Sequence, residues 1–236
     1  MSAIRLAEEP SLSLQALRQR LAERLGPGIG IACVDVDGDP RRLYPEECAA
    51  VRLAVPRRQR EFAAGRQAAR RAMMDIGWAP SAIPSAPDRS PAWPEGLVGS
   101  ISHNDQACVA VVCPRGQWQA IGIDIEVHRS IETTLWSTIC TPQEMALLSS
   151  RTEQLRGLAV SHLFSAKEAV YKWQYPLTGR MLDFQQVHIT LGATMQTFSA
   201  RIADTDPAAA PATEVNGHIL VDRDHIVSWV LTRASC

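Results

Sequence analysis

Lysine is almost missing from this chain: of 24 basic residues only Lys167 and Lys172 are lysines, and the rest are arginines. Arginine-rich coding explains the scarcity, but not why both survivors flank Glu168. An ammonium is a compact, movable point charge, whereas a guanidinium is a planar fork. The six cysteines (Cys33, Cys48, Cys108, Cys113, Cys140, Cys236) form no C-x-x-C pair and no regular framework. That argues against structural zinc and a disulfide scaffold, and for reduced, mostly buried thiols in a cytoplasmic protein. No apolar run approaches the length of a membrane span, and the N-terminus carries Glu8 and Glu9 without an apolar core, so neither a secretory nor a transit peptide is expected. A formal net charge of -1 gives no sign of a general nucleic-acid or acidic-membrane binder. Any anion must be met by a local basic cluster. The glycine-rich stretch Gly26-Pro27-Gly28-Ile29-Gly30 precedes a strand instead of following one, which excludes a phosphate-cradling loop.

What is present describes an ordinary globular protein: 236 residues, 46% hydrophobic and 21% charged, enough for one large or two small domains. Leu14, Leu17, Leu21 and Leu25 recur at helical spacing and predict an opening amphipathic helix. A strand over 29–36, a short helix from Pro45 and a long basic helix over 56–74 follow. Gly65 inside that long helix implies close packing or close approach of a ligand. Runs at 97–102, 107–113 and 118–126 read as a meander. After it come a short helix from Thr141-Pro142, a long one over 153–173, strands near 184–192, 197–203 and 218–232, and a loop over 203–217.

The two halves echo each other in order. Val34-Asp35-Val36-Asp37 answers Ile123-Asp124-Ile125-Glu126, Pro45-Glu46-Glu47 answers Pro142-Gln143-Glu144, and Arg66 to Arg71 answers Lys167 to Lys172. The echo predicts an α+β fold of two similar α/β lobes, 1–117 and 118–236, related by a pseudo-twofold with the active cleft between them. Only the second half keeps the acidic site, because Gln67 stands where the other half has Glu168.

On a strand, Asp124 and Glu126 share one face with Cα atoms about 6.8 Å apart, and Gly122 leaves room beside them. Two carboxylates so placed repel unless one protonates or a cation sits between them. A hard divalent ion answers this, and magnesium fits best. Glu168 and Lys172, four apart on a helix, share a face. A third carboxylate, lysines, first-half arginines and His103 at a strand end complete a site for a phosphoanhydride. A glutamate near the metal can also take a proton from an attacking hydroxyl.

Gly99-Ser100-Ile101-Ser102-His103, Gly122-Ile123-Asp124-Ile125-Glu126 and Phe164-Ser165-Ala166-Lys167-Glu168-Ala169-Val170-Tyr171-Lys172 resemble the three signature segments of the 4'-phosphopantetheinyl transferase superfamily. Glu61 to Arg66 and the stretch from Asp88-Arg89 to Trp93-Pro94 resemble the monomeric, two-lobed branch of the enterobactin-synthetase activating type. The similarity runs from about Pro45 to Asp183. It implies transfer of phosphopantetheine from coenzyme A to a serine of an apo acyl or peptidyl carrier protein, releasing 3',5'-ADP. Carried over by position, Asp124, Glu126 and Glu168 would hold magnesium, Glu168 would be the general base, and Lys172 would stabilise phosphate charge. Ser102, His103 and Lys167 would contact coenzyme A, with Arg58, Arg66 and Arg89 around its 3'-phosphate. Two other readings use the same residues: a magnesium-dependent phosphoanhydride hydrolase with water as nucleophile, and a non-catalytic module that binds carrier proteins.

Overall fold

The computed structural model describes residues 11–203 and 213–234. Its elements in chain order are α1 (Leu12–Leu25), β1 (Gly30–Asp35), α2 (Pro45–Cys48), α3 (Pro56–Asp75), β2 (Leu97–His103), β3 (Ala107–Pro114), β4 (Trp118–Val127), α4 (Trp136–Ile139), α5 (Pro142–Leu148), α6 (Glu153–Thr178), β5 (Val187–Leu191), β6 (Thr197–Ile202), β7 (Thr213–Val221) and β8 (His225–Arg233). They build a three-stranded sheet, β1-β3-β2, and a five-stranded sheet, β4-β8-β7-β6-β5. All pairings are antiparallel.

The expected meander is half right. β2 and β3 form the hairpin, but β3 already has β1 on its other side and offers no free edge, so β4 leaves and pairs with β8 in the second sheet. The single strand expected over 218–232 is a hairpin. Asp222 breaks it by accepting the backbone N–H groups of Asp224 and His225 at 2.9 and 2.7 Å. Of the loop expected over 203–217, Thr213 onward belongs to β7 and 204–212 lie outside the described residues.

The two lobes share a plan: a strand, a long helix packed on it, and a hairpin that returns beside the strand. α3 covers the first sheet through Ala64, Ala68, Ala72 and Met73 against Ala32, Val34 and Val112. α6 covers the second through Leu163, Ala166, Val170 and Trp173 against Val187, Ile189 and Val230. Strand alternation then divides β4. Ile121, Ile123 and Ile125 enter a core shared by the two sheets, while Gly122, Asp124 and Glu126 take the face toward α6. α1 joins that shared core with Leu14, Leu17, Leu21 and Leu25, each leucine contributing about 1.5–3 kcal/mol by burial. Gly65 is explained by packing, since a Cβ there would meet Ile101 of β2 at 3.1 Å.

A buried glutamate marks the same point in each lobe. Glu47 caps α2, accepting the N–H of Tyr44 at 2.9 Å, the N–H of Ile83 at 2.9 Å and the Arg70 guanidinium at 2.7 Å. Glu144 caps α5, accepting the N–H of Thr141 at 2.7 Å, the N–H of Ile189 at 2.6 Å and the Lys167 ammonium at 2.8 Å. No helix among the described residues is long and apolar enough to cross a membrane. Cys33, Cys108, Cys113 and Cys140 are buried free thiols and Cys48 an exposed one.

Candidate active site

The site forms where β2, the edge of the first sheet, lies against β4, the edge of the second. An edge strand leaves backbone N–H groups without a ladder partner. Here Ser100 fills that role, its hydroxyl accepting the Ile123 N–H at 3.1 Å. Two residues on, and therefore on the same face of β2, the Ser102 hydroxyl donates to Asp124 Oδ1 at 2.8 Å. The serines of Gly99-Ser100-Ile101-Ser102-His103 thus join the lobes and hold a carboxylate.

α6 closes the site from the other side at very short range. A Cβ at Gly122 would lie 2.1 Å from the Ala169 carbonyl oxygen and 2.4 Å from the Trp173 nitrogen. The room beside Gly122 is filled by helix backbone. This contact sets Glu168 and Lys172 over Asp124. Lys172 Nζ donates to Asp124 Oδ1 at 2.7 Å and to Ser102 Oγ at 2.8 Å. Burial works against its charge, but Asp124, Glu168 and Glu126 outweigh burial and hold its pKa above the ordinary lysine value.

The acids are frustrated. Burial, with Asp124 beside it, pushes the Glu126 carboxyl up to about 8. Burial also raises the Glu168 pKa, opposed by Lys172 and reinforced by Asp124. Asp124 is 2% exposed, and its Oδ2 is buried without a hydrogen-bond partner. A buried carboxylate oxygen with no donor is costly. No group of three or more His, Cys, Asp or Glu side chains among the described residues is arranged to hold a metal ion, and the cation between the acids is Lys172. What the residues offer a hard cation is donor chemistry: an orphaned Asp124 oxygen, with the half-buried carboxylates of Glu126 and Glu168 nearby.

A cavity of about 560 Å³ opens beside Lys172, lined by Arg89, Trp93, Ser100, Tyr171 and Tyr175 among others. On the other side of Tyr171, a groove of about 220 Å³ runs past Glu168, Leu182 and Phe184. His103 ends β2, and its Nε2 lies 3.0 Å from Arg58 Nη1. A guanidinium can only donate, so the His103 ring nitrogen accepts that bond, and burial lowers the His103 pKa.

Two expected coenzyme A contacts are engaged elsewhere. Lys167 is 1% exposed and donates to Glu144 at 2.8 Å, to the Ile139 carbonyl at 2.8 Å and to the Phe184 carbonyl at 2.9 Å. All three of its donors are taken. Arg66, also buried, donates to the Ile83 carbonyl at 2.7 Å and to Ser85 at 3.3 Å, with its guanidinium 4.0 Å from the Phe62 ring centroid. Both are structural in this state because each satisfies buried carbonyl oxygens. Arg58 and Arg89 stand at the cleft, but other first-half arginines do not gather there. Arg70 pairs with Glu47, and Arg41, Arg42, Arg60 and Arg71 line a separate cavity of about 480 Å³ with Asp35, Asp37 and Gln67. By the sequence echo, that cavity is the first lobe's counterpart of the acidic site. Sequence reasoning passed over Ser100, Tyr171 and Tyr175 as site residues, and over Glu144 as the partner of Lys167. The signals were alternation on β2, an i, i+4 tyrosine pair on α6, and the repeated Pro-x-Glu.

Residues 46–113 match the 4'-phosphopantetheinyl transferase N-terminal domain family, and residues 120–230 match the 4'-phosphopantetheinyl transferase superfamily. The chain is 35% identical over 185 residues to the 4'-phosphopantetheinyl transferase Svp of Streptomyces mobaraensis, a match covering 75% of this chain and 72% of that protein. To the 4'-phosphopantetheinyl transferase PptT of Mycobacterium tuberculosis it is 31% identical over 209 residues, 85% of this chain and 92% of that one. To enterobactin synthase component D of Escherichia coli it is 37% identical over 133 residues, 55% of this chain and 61% of that one. With the acidic cleft between two lobes and relatives matched along most of its length, this chain belongs to the 4'-phosphopantetheinyl transferase superfamily and is a transferase enzyme.

Proposed function

We propose that the cleft transfers the 4'-phosphopantetheine group of coenzyme A to the serine hydroxyl of an apo acyl or peptidyl carrier protein, releasing 3',5'-ADP and depending on magnesium. The observation that carries this reading is the buried, unpartnered Oδ2 of Asp124 beside two further carboxylates whose pKa values are raised. Asp124, Glu126 and Glu168 would hold the ion, which when bound neutralises the pyrophosphate and polarises the bond to be broken.

The chain's own residues supply the rest. Glu168, half-buried and with a raised pKa, would accept the proton of the attacking serine. Lys172, already drawn between the acids, would turn its ammonium to the phosphate oxygens as charge develops there. Arg89 at the larger cavity, with Arg58 and His103 at the end of β2, would meet the outlying phosphates. Ser102 would hold Asp124 in place. The groove of about 220 Å³ past Glu168, Leu182 and Phe184, with apolar and polar lining side by side, would take the pantetheine arm. The two lobes of one chain make one cleft, which supports a monomer, and the free buried thiols support a cytoplasmic setting.

The test is product analysis with purified protein, coenzyme A, magnesium and an apo carrier. The reading requires 3',5'-ADP and modified carrier in equal amounts. Cleavage of coenzyme A without carrier would instead make the protein a hydrolase.

A further inference from the structure

Residues 84–92 form a tight turn at the mouth of the larger cavity. Ala92 N–H donates to the Pro84 carbonyl at 2.8 Å, Ala86 N–H to the Ser90 carbonyl at 2.9 Å, and Arg89 N–H to the Ala86 carbonyl at 2.8 Å. At its tip Arg89 has φ 71, a left-handed conformation that a residue with a side chain adopts only when its surroundings impose it. Asp88 does the imposing. Its Oδ1 accepts the backbone N–H of Ser90 at 2.9 Å and the Ser90 hydroxyl at 2.7 Å, closing a side-chain turn around Arg89.

The other oxygen of the same carboxylate reaches the opposite lobe. Tyr175 Oη, on α6, donates to Asp88 Oδ2 at 2.8 Å. The Tyr175 ring lies against Tyr171 one turn earlier, centroids 5.5 Å apart. Asp88, Arg89, Tyr171 and Tyr175 all line the cavity. Asp88 is therefore fully engaged with Ser90 and Tyr175, while Arg89 beside it makes no ion pair among the described residues and lines the cavity. The anion of the pair is tied down and the cation is left facing the cavity.

We propose that Asp88 and Tyr175 form a clasp across the cleft that positions Arg89 for the 3'-phosphate of coenzyme A. They are positioning residues, setting affinity for the 3'-phosphorylated co-substrate and leaving the chemical step alone. This rests on the coenzyme A reading above. The bond ties the first lobe's turn to α6 of the second lobe.

The test compares coenzyme A with 3'-dephospho-coenzyme A by calorimetric titration in magnesium, and by KM and kcat with an apo carrier. Tyr175→Phe keeps the ring and removes only the hydroxyl. It is expected to weaken coenzyme A binding by about three- to ten-fold, raise KM to match, spare kcat at saturation, and leave binding of the dephospho compound unchanged. Asp88→Ala should do the same more strongly. In an Arg89→Ala background the Tyr175→Phe change should have no further effect, because the group being positioned is gone. Equal loss for both ligands, no loss for either, or full additivity with Arg89→Ala would overturn the clasp. Wild-type protein that binds neither ligand would instead overturn the coenzyme A reading, and the clasp's ligand with it. Asp88→Ala leaves the hydrophobic cores untouched, so a melting temperature close to wild type should accompany these results.

Discussion

Replacing Gly122 with alanine should move the whole site. The added Cβ would stand 2.1 Å from the Ala169 carbonyl oxygen, 2.4 Å from the Trp173 nitrogen and 2.9 Å from the Trp173 Cα. All three are backbone atoms of α6, so no side chain can rotate away. Ordinary contact begins at 3.4 Å, so a 2.1 Å approach is short by about 1.3 Å, and α6 must withdraw from β4 by that much. Glu168 and Lys172 adjoin the displaced residues, while Asp124 sits two residues along the strand that stays. The Lys172 bonds to Asp124 and Ser102, now 2.7 and 2.8 Å, would stretch toward about 4 Å and cease to be hydrogen bonds. Overpacking of this kind costs about 1–3 kcal/mol, or several degrees of melting temperature for a chain of this length. Misplacement of catalytic groups by about 1 Å can cost 100-fold in rate. Thermal melts and transfer rates measure the two effects on one preparation. Gly116→Ala serves as control, since nothing lies within 4 Å of a Cβ there. A Gly122→Ala protein that melts and turns over like wild type would refute the argument that this glycine brings α6 onto the acids.

Other outcomes follow from the same geometry. Lys172→Arg keeps the charge but not the compact ammonium between Asp124 and Ser102, and transfer should fall at least about 10-fold; wild-type turnover would rule out the need for an ammonium. Glu168→Gln should stop transfer while calorimetry still finds coenzyme A bound; residual activity that only tracks lost binding would mean that Glu168 acts by holding the ion alone and is not also the base. Glu144→Ala leaves the Lys167 ammonium buried without its counterion, at a cost of about 3–5 kcal/mol in denaturant unfolding. A cost under 1 kcal/mol would mean that the pair is not structural. His162 is buried with its Nδ1 2.7 Å from the Leu158 carbonyl, and burial lowers its pKa from 6.5. A histidine with a depressed folded pKa adds stability above 6.5 that is lost as pH falls between the unfolded and folded values, because the unfolded chain binds the extra proton. Unfolding free energy should therefore drop in that window by up to about 1.4 kcal/mol per pH unit, and His162→Gln should flatten the drop.

Much of the site was legible because strand and helix periods place residues on faces. Asp124 and Glu126 alternate with three isoleucines, and the structure puts the isoleucines into the inter-sheet core and the acids opposite. Glu168 and Lys172 meet at helical spacing over Asp124. Lys167 was misread although the same period applies to it. It lies four residues after Leu163 and three before Val170, on the buried stripe of α6, and a charge there must find a buried partner. The partner, Glu144, was visible as the repeated Pro-x-Glu, but it is 23 residues away in sequence and only the fold joins them. Strand pairing was the weakest part. Three runs with short turns suggest a meander, and nothing local says that β3 has its second edge taken by β1 across two helices. The Asp88–Tyr175 bond, 87 residues apart, is a contact of the same kind.

The central claim is tested most directly by the intact mass of a purified apo carrier protein after incubation with this protein, coenzyme A and magnesium, with a chelator control. The account predicts the gain of one phosphopantetheine on the carrier serine, abolished by the chelator. Carriers of unchanged mass, with coenzyme A intact and magnesium present, would contradict it and leave a module that binds carriers without modifying them.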